Sequence, residues 1–151
     1  MQKLTVIYGR SWKPISLLIQ LRTLSHWSHV GVIDGDSVIE AVGGQGVVVT
    51  PIDEFKKRYR ETVEGQIYCL DRDEAMQYLR SRIGARYDKL AVVGFALALG
   101  WDDIEAYHCA ELVAGASGIA NPYRLNEISP GTLRKFTHDN TQRVFTGRLS
   151  G

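Results

Sequence analysis

The chain has 151 residues, 44% of them hydrophobic and 23% charged, which suits one domain with a sizeable core and excludes a disordered or fibrous chain. Eighteen Lys and Arg against seventeen Asp and Glu leave a formal charge of +1, so no global field draws nucleic acid or an anionic membrane. Two cysteines, Cys69 and Cys109, make no disulfide framework and suit a reducing compartment or a working thiol.

In chain order, Leu4 to Tyr8 alternates as a short strand that Gly9-Arg10-Ser11 should end. It is too short for the apolar core of a secretory leader, and no small-residue cleavage site follows. The expectation is a protein that is cytoplasmic as synthesised, with phage origin or delivery to the envelope by another route left open. Pro14 suits the first turn of a helix whose Ile15, Leu18 and Ile19, with Leu17, Leu21 and Leu24, form a broad apolar face. His26 to Ile33 enters a strand, Asp34-Gly35-Asp36 turns, and Ser37 to Val42 returns, a β-hairpin. Gly43-Gly44-Gln45-Gly46 is a second turn, without the Lys-Ser/Thr of a phosphate loop, and Val47 to Thr50 a third strand. This antiparallel meander is expected to form the core of the sheet.

Pro51 to Phe55 reads as a short helical turn, and the basic cluster Lys56-Lys57-Arg58-Tyr59-Arg60, flanked by Glu54, Glu61 and Glu64, as a solvated face. Thr62 to Leu70 is a further strand, and the acidic run from Asp71 opens a helix through Ile83. After the junction Gly84-Ala85-Arg86-Tyr87-Asp88, the apolar run Leu90 to Gly100 falls short of the ~20 residues of a membrane-spanning helix and reads as a buried one. Gly100-Trp101-Asp102-Asp103 resembles a turn, which puts Cys109 at a helix start, with Gly115, Ser117 and Gly118 stopping the helix. Ser129 to Leu133 suggests a short helix and Arg143-Val144-Phe145 an edge strand. No repeat or linker divides residues 1–151, which form a single domain.

Cys109 is the candidate nucleophile, because a thiol in the first turn of a helix gains thiolate character from the macrodipole. A small buried core residue is the alternative reading of the same cysteine. A thiol nucleophile needs an imidazole base fixed by a third polar group. Of four histidines, His29 is the best placed, in a strand among small or apolar residues; His26 and His108 fall in loops and His138 in a polar tail. A two-residue turn at Gly35-Asp36 would set Asp34 against Ser37 and Gly31 against Glu40, leaving Glu40 one diagonal from His29 on the same face. A three-residue turn would point Glu40 away, with Gln45 then the fallback. The backbone N–H of Cys109, with a second donor from His108 or another neighbouring group, would meet an oxyanion.

Tyr-His-Cys-Ala-Glu-Leu-Val around Cys109, preceded by Trp-Ser-His-Val-Gly-Val, Val-Ile-Glu-Ala and Gly-Val-Val, together with the opening Tyr-Gly-Arg-Ser and the Gly84-Ala85-Arg86-Tyr87-Asp88 segment, resembles the permuted, YiiX-like branch of the NlpC/P60 papain-like superfamily. The resemblance spans roughly residues 4 to 135. It implies an α+β papain-like fold in which the His-bearing meander comes first and a Cys-bearing helix packs against it. It also implies Cys109 as nucleophile, His29 as base, Glu40 as third polar residue and no cofactor. Ala110 stands where the family often has Ser, a position outside the triad. Family members act on amide, ester or thioester acyl groups, commonly peptidoglycan stem peptides, so the expected partner is a peptide- or acyl-containing substrate, with no nucleic acid and no integral membrane segment. Trp27, Tyr87 and His108 are candidate substrate contacts, though Trp27 and Tyr87 serve equally as core aromatics. Three alternatives stay open: a lipid acyltransferase or thioesterase, a catalytically silent module for wall peptides or lipids, and a zinc site from His26, His29, His108 and Cys109.

Overall fold

The computed structural model describes residues 2–10, 27–86, 101–118, 130–135, 137 and 143–145, without the side chains of 101–108, 132 and 143–145. The helix expected from Pro14, the apolar run from Leu90, Tyr87, His26 and His138 lie outside the described residues.

The frame is a six-stranded antiparallel sheet in the order β4-β3-β2-β1-β5-β6. Its strands are β1 (Gln2–Arg10), β2 (His29–Asp34), β3 (Ser37–Val42), β4 (Gly46–Pro51), β5 (Glu61–Cys69) and β6 (Arg143–Phe145). The meander β2-β3-β4 therefore forms one flank and not the centre of the sheet. The centre belongs to β1, paired along its whole length with β5 and over four residues with β2. β1 also runs past the expected stop, because Gly9 and Arg10 stay in register with Thr62 and Glu61.

Four helices complete the described chain: α1 (Ile52–Arg58), α2 (Arg72–Arg82), α3 (Trp101–Ser117) and α4 (Pro130–Lys135). Asp71 caps α2, its carboxylate accepting from the backbone N–H groups of Asp73 at 2.8 Å and Glu74 at 3.0 Å. Period-2 alternation divides the sheet residues into two cores. Leu4, Val6, Tyr8, Val30, Val32, Ile39, Ala41, Val63 and Ile67 join apolar residues of α2, α3 and α4 in the larger one. On the opposite side Ile7, Val38 and Phe55 form a smaller cluster covered by Ile33, Ile52 and Tyr59. α3 packs across β2 and β3, the two strands that carry the candidate base and its partner.

Cys109 is not at a helix start. It is the ninth of the seventeen described residues of α3, and the Trp101-Asp102-Asp103 stretch that reads as a turn in the sequence is helical. The macrodipole's influence falls off within the first turn, so it does little for a thiol two turns in.

Candidate active site

The hairpin register decides the site. Asp34 pairs with Ser37, Ile33 with Val38 and Val32 with Ile39, so the turn is Gly35-Asp36 and its register carries Gly31 opposite Glu40. His29 is then diagonal to Glu40 on one face, and the two side chains meet: His29 Nε2 and Glu40 Oε2 are 2.7 Å apart, both residues buried. Gln45 lies exposed in the β3–β4 turn and is not the group that holds the ring.

Four further residues complete the setting of this pair. Thr50, on β4, donates its hydroxyl to Glu40 Oε1 at 2.5 Å. Arg58, at the end of α1, donates from Nη2 to the same oxygen. The Tyr59 ring stacks on the imidazole, with centroids 5.8 Å apart and planes 14° from parallel, and the Phe55 ring lies 5.9 Å from it. Phe55 and Arg58 share a face of α1 by i, i+3 spacing, so anchoring Phe55 on the sheet brings Arg58 with it, and Tyr59 follows as the extended residue that caps the helix. Gly9 makes room: a Cβ there would sit 2.6 Å from the Tyr59 ring. The basic cluster is thus not wholly a solvated face. Lys56 does sit at the surface, paired with Glu64 at 3.1 Å, but Arg58 reaches inward.

Cys109, buried on α3, lies within hydrogen-bond reach of the His29 ring. Because Glu40 occupies Nε2, the ring nitrogen left for the thiol is Nδ1. His29 opens β2, a strand against which α3 packs. Burial by itself pushes the imidazole pKa down, but Cys109 and Glu40 outweigh it and raise the ring from 6.5 to about 10. Burial likewise pushes the Glu40 carboxyl up, and the contacts from His29, Thr50 and Arg58 reverse this and hold it below its ordinary value. The arrangement favours a cationic imidazole between an anionic carboxylate and the sulfur.

Of the remaining sequence candidates, Trp27 is the one whose side chain is among the described residues. Trp27 is partly buried on the larger core, its ring 6.2 Å from that of Tyr8. His108 lies in α3, its side chain outside the described residues, as is the whole of Tyr87. The Cys109 amide is not an oxyanion donor, since a mid-helix N–H is taken by the carbonyl four residues earlier. Among the described residues no group of three or more His, Cys, Asp or Glu is placed to hold a metal ion; His26 and the His108 side chain, two of the four zinc candidates, lie outside them. No helix among the described residues is long and apolar enough to cross a membrane.

Thr50 and Arg58 are the residues that the sequence reading missed. Thr50 was within reach of register reasoning: Glu40 pairs with Val48, which makes Thr50 its diagonal neighbour on the same face.

No protein-family model matches the chain. No curated protein matches it. Among solved structures it is similar to one described as the metalloprotein YiiX from Escherichia coli O157:H7, with 23% identity, a TM-score of 0.47, and coverage of 66% of this chain and 67% of that one.

Proposed function

We propose that this chain is a thiol-dependent acyl hydrolase or acyl transferase, with Cys109 as nucleophile, His29 as general base and acid, and Glu40 as the group that fixes the ring. The observation that carries the reading is the buried imidazole bonded through Nε2 to Glu40 with Cys109 within hydrogen-bond reach of the same ring. The carboxylate accepts from Nε2–H, so Nδ1 takes the proton of the Cys109 thiol. The thiolate attacks a carbonyl carbon, and the protonated Nδ1 then returns its proton to the departing amine or alkoxide, leaving a thioester on Cys109. Water or a second nucleophile attacks the thioester and regenerates the thiol. Since the helix contributes little at its ninth residue, thiolate formation depends on His29.

The order of the chain, with the histidine strand before the cysteine helix, agrees with the permuted papain-like arrangement that the sequence motifs resemble. On that reading the substrate is an amide or ester, with peptidoglycan stem-peptide amides the first class to try and long-chain acyl esters or thioesters the second.

The test is the pH dependence of Cys109 alkylation by iodoacetamide, read by peptide mass spectrometry in the wild type and in His29→Ala. The reading expects a thiolate limb well below the ~8.5 of a free cysteine, displaced upward in His29→Ala. A Cys109 that labels no faster than Cys69 and ignores His29 would sink it and leave a binding module.

A further inference from the structure

Glu40 is an expensive residue to bury, and it sits in the same cluster as a sulfur that must itself become negative. On the proposed reading, attack requires a Cys109 thiolate, a His29 imidazolium and a Glu40 carboxylate together. Without another cation that group carries a net negative charge in a nearly dry site, where charge interactions are stronger than in water. Arg58 supplies the missing positive charge. Its Nη2 donates to Glu40 Oε1, while its guanidinium lies 5.3 Å from the Phe55 ring centroid and 5.6 Å from that of Tyr59, the rings that flank His29. The Arg58 side chain is 39% exposed and that of Glu40 is fully buried, so the cation keeps part of its hydration while neutralising a carboxylate that has none.

Resting on the function proposed above, we infer that Arg58 is a positioning residue whose charge balances Glu40, so that a Cys109 thiolate can form beside the buried carboxylate. The groups facing the cluster support this assignment. β2 brings His29, β4 the neutral hydroxyl of Thr50, and α1 Arg58 with the neutral ring of Phe55 and the phenol of Tyr59 beside it. On the far side of Cys109, Tyr8 of β1 donates its hydroxyl to Thr137 Oγ1 at 2.6 Å, since that oxygen's own hydrogen goes to the Leu133 carbonyl at 3.0 Å. Burial pushes the Tyr8 phenol up to about 12, so it is neutral at working pH. Arg134 of α4 lies over the Tyr8 ring at 5.7 Å, and Lys56 is occupied by Glu64. Arg58 is therefore the cation bonded to the carboxylate itself.

The experiment is the alkylation pH profile of Cys109 in the wild type, His29→Ala, Arg58→Met, Arg58→Lys and Thr50→Val, each checked for folding by its melting curve. Methionine keeps an apolar stem over Phe55 and Tyr59 and loses only the cation; Arg58→Gln replaces it should the Met variant misfold. Arg58→Met is expected to move the acid limb up by about one pH unit, roughly tenfold slower labelling on that limb. Arg58→Lys should keep the limb near the wild-type position. Thr50→Val, which removes a donor and no charge, should lower the plateau and leave the limb in place. An Arg58→Met limb that superimposes on an activated, His29-dependent wild type overturns this inference and leaves the proposed function standing. Equal limb shifts in Thr50→Val and Arg58→Met also overturn it, in favour of carboxylate placement alone. A wild-type Cys109 with free-thiol behaviour that is indifferent to His29→Ala defeats both.

Discussion

Replacing Glu40 with Gln removes one charge and almost no volume, so it isolates what the carboxylate does. Glu40 accepts from His29 Nε2 at 2.7 Å through Oε2, and from Thr50 and Arg58 through Oε1. A glutamine amide has one oxygen and cannot serve both sides. With its oxygen toward Thr50 and Arg58, its NH2 faces Nε2 and selects the tautomer protonated at Nδ1, which cannot accept the thiol proton. With its oxygen toward His29, the NH2 group opposes two donors. Either way a charge-assisted contact is lost, worth about 1.5–3 kcal/mol, which in a domain of this size lowers Tm by roughly 3–12 °C. Without a base to take its proton, the Cys109 thiol forms less thiolate near pH about 6. The greater nucleophilicity of a less acidic thiolate offsets part of this, leaving about a tenfold fall in labelling. Pulse alkylation with iodoacetamide near that pH, with Cys69 as internal control, reads the effect. A Glu40→Gln protein that melts lower but labels Cys109 at the wild-type rate would reduce Glu40 to a structural residue and refute the argument.

Other outcomes follow from the same geometry. His29 is raised from 6.5 to about 10, so its stabilisation is full below about 6.5 and lost as pH climbs through about 10. Glu40 is lowered from 4.5, so its share is present above that value and lost as pH falls below it; melting temperatures across pH should therefore peak between about 4.5 and 6.5, and a flat profile across the alkaline side would contradict the raised histidine. Gly9→Ala places a methyl 2.6 Å from the Tyr59 ring and should cost about 1–3 kcal/mol in a denaturant melt while loosening the ring that stacks on His29. Cys69 is buried in the larger core, and Cys69→Ala should cost about 1 kcal/mol and leave Cys109 labelling unchanged; a change in labelling would tie the two thiols together.

The His29–Glu40 pair was legible because strand periodicity and a two-residue turn leave little freedom: once Asp34 opposes Ser37, the diagonal follows. Arg58 was not, since no pattern in Lys56-Lys57-Arg58-Tyr59-Arg60 says which cation turns inward. The clue was Phe55, the buried aromatic of α1 that must face the sheet and carries position 58 with it. The start of α3 was misread for a different reason. Acidic residues are common both in turns and in helices, and Asp102-Asp103 lies within α3. That boundary moved the expected activation of Cys109 from the helix to the sheet, whereas the strand order β4-β3-β2-β1-β5-β6 depends on long-range pairing that local patterns do not encode.

Dependence on the sheet makes the site as rigid as the core. The register that aims Glu40 at His29 also buries Ile39 and Ala41 against the main core and Val38 against Ile7 and Phe55. A slip of one residue would exchange the two faces, turning Ile39 and Ala41 out of the main core and the Glu40 carboxylate into it, a cost of several kcal/mol at about 1.5–3 kcal/mol per buried side chain. A glycine inserted after Gly35 should therefore bulge into the turn, where a Cβ on Gly35 meets nothing within 4 Å, and leave the strand register untouched. The expected result is a Cys109 alkylation limb at the wild-type pH in a protein that melts slightly lower. If the insertion abolishes activation while the protein still melts cooperatively, the turn and not the buried face is setting the register. Glu40 would then owe its position to the length of two residues at the surface.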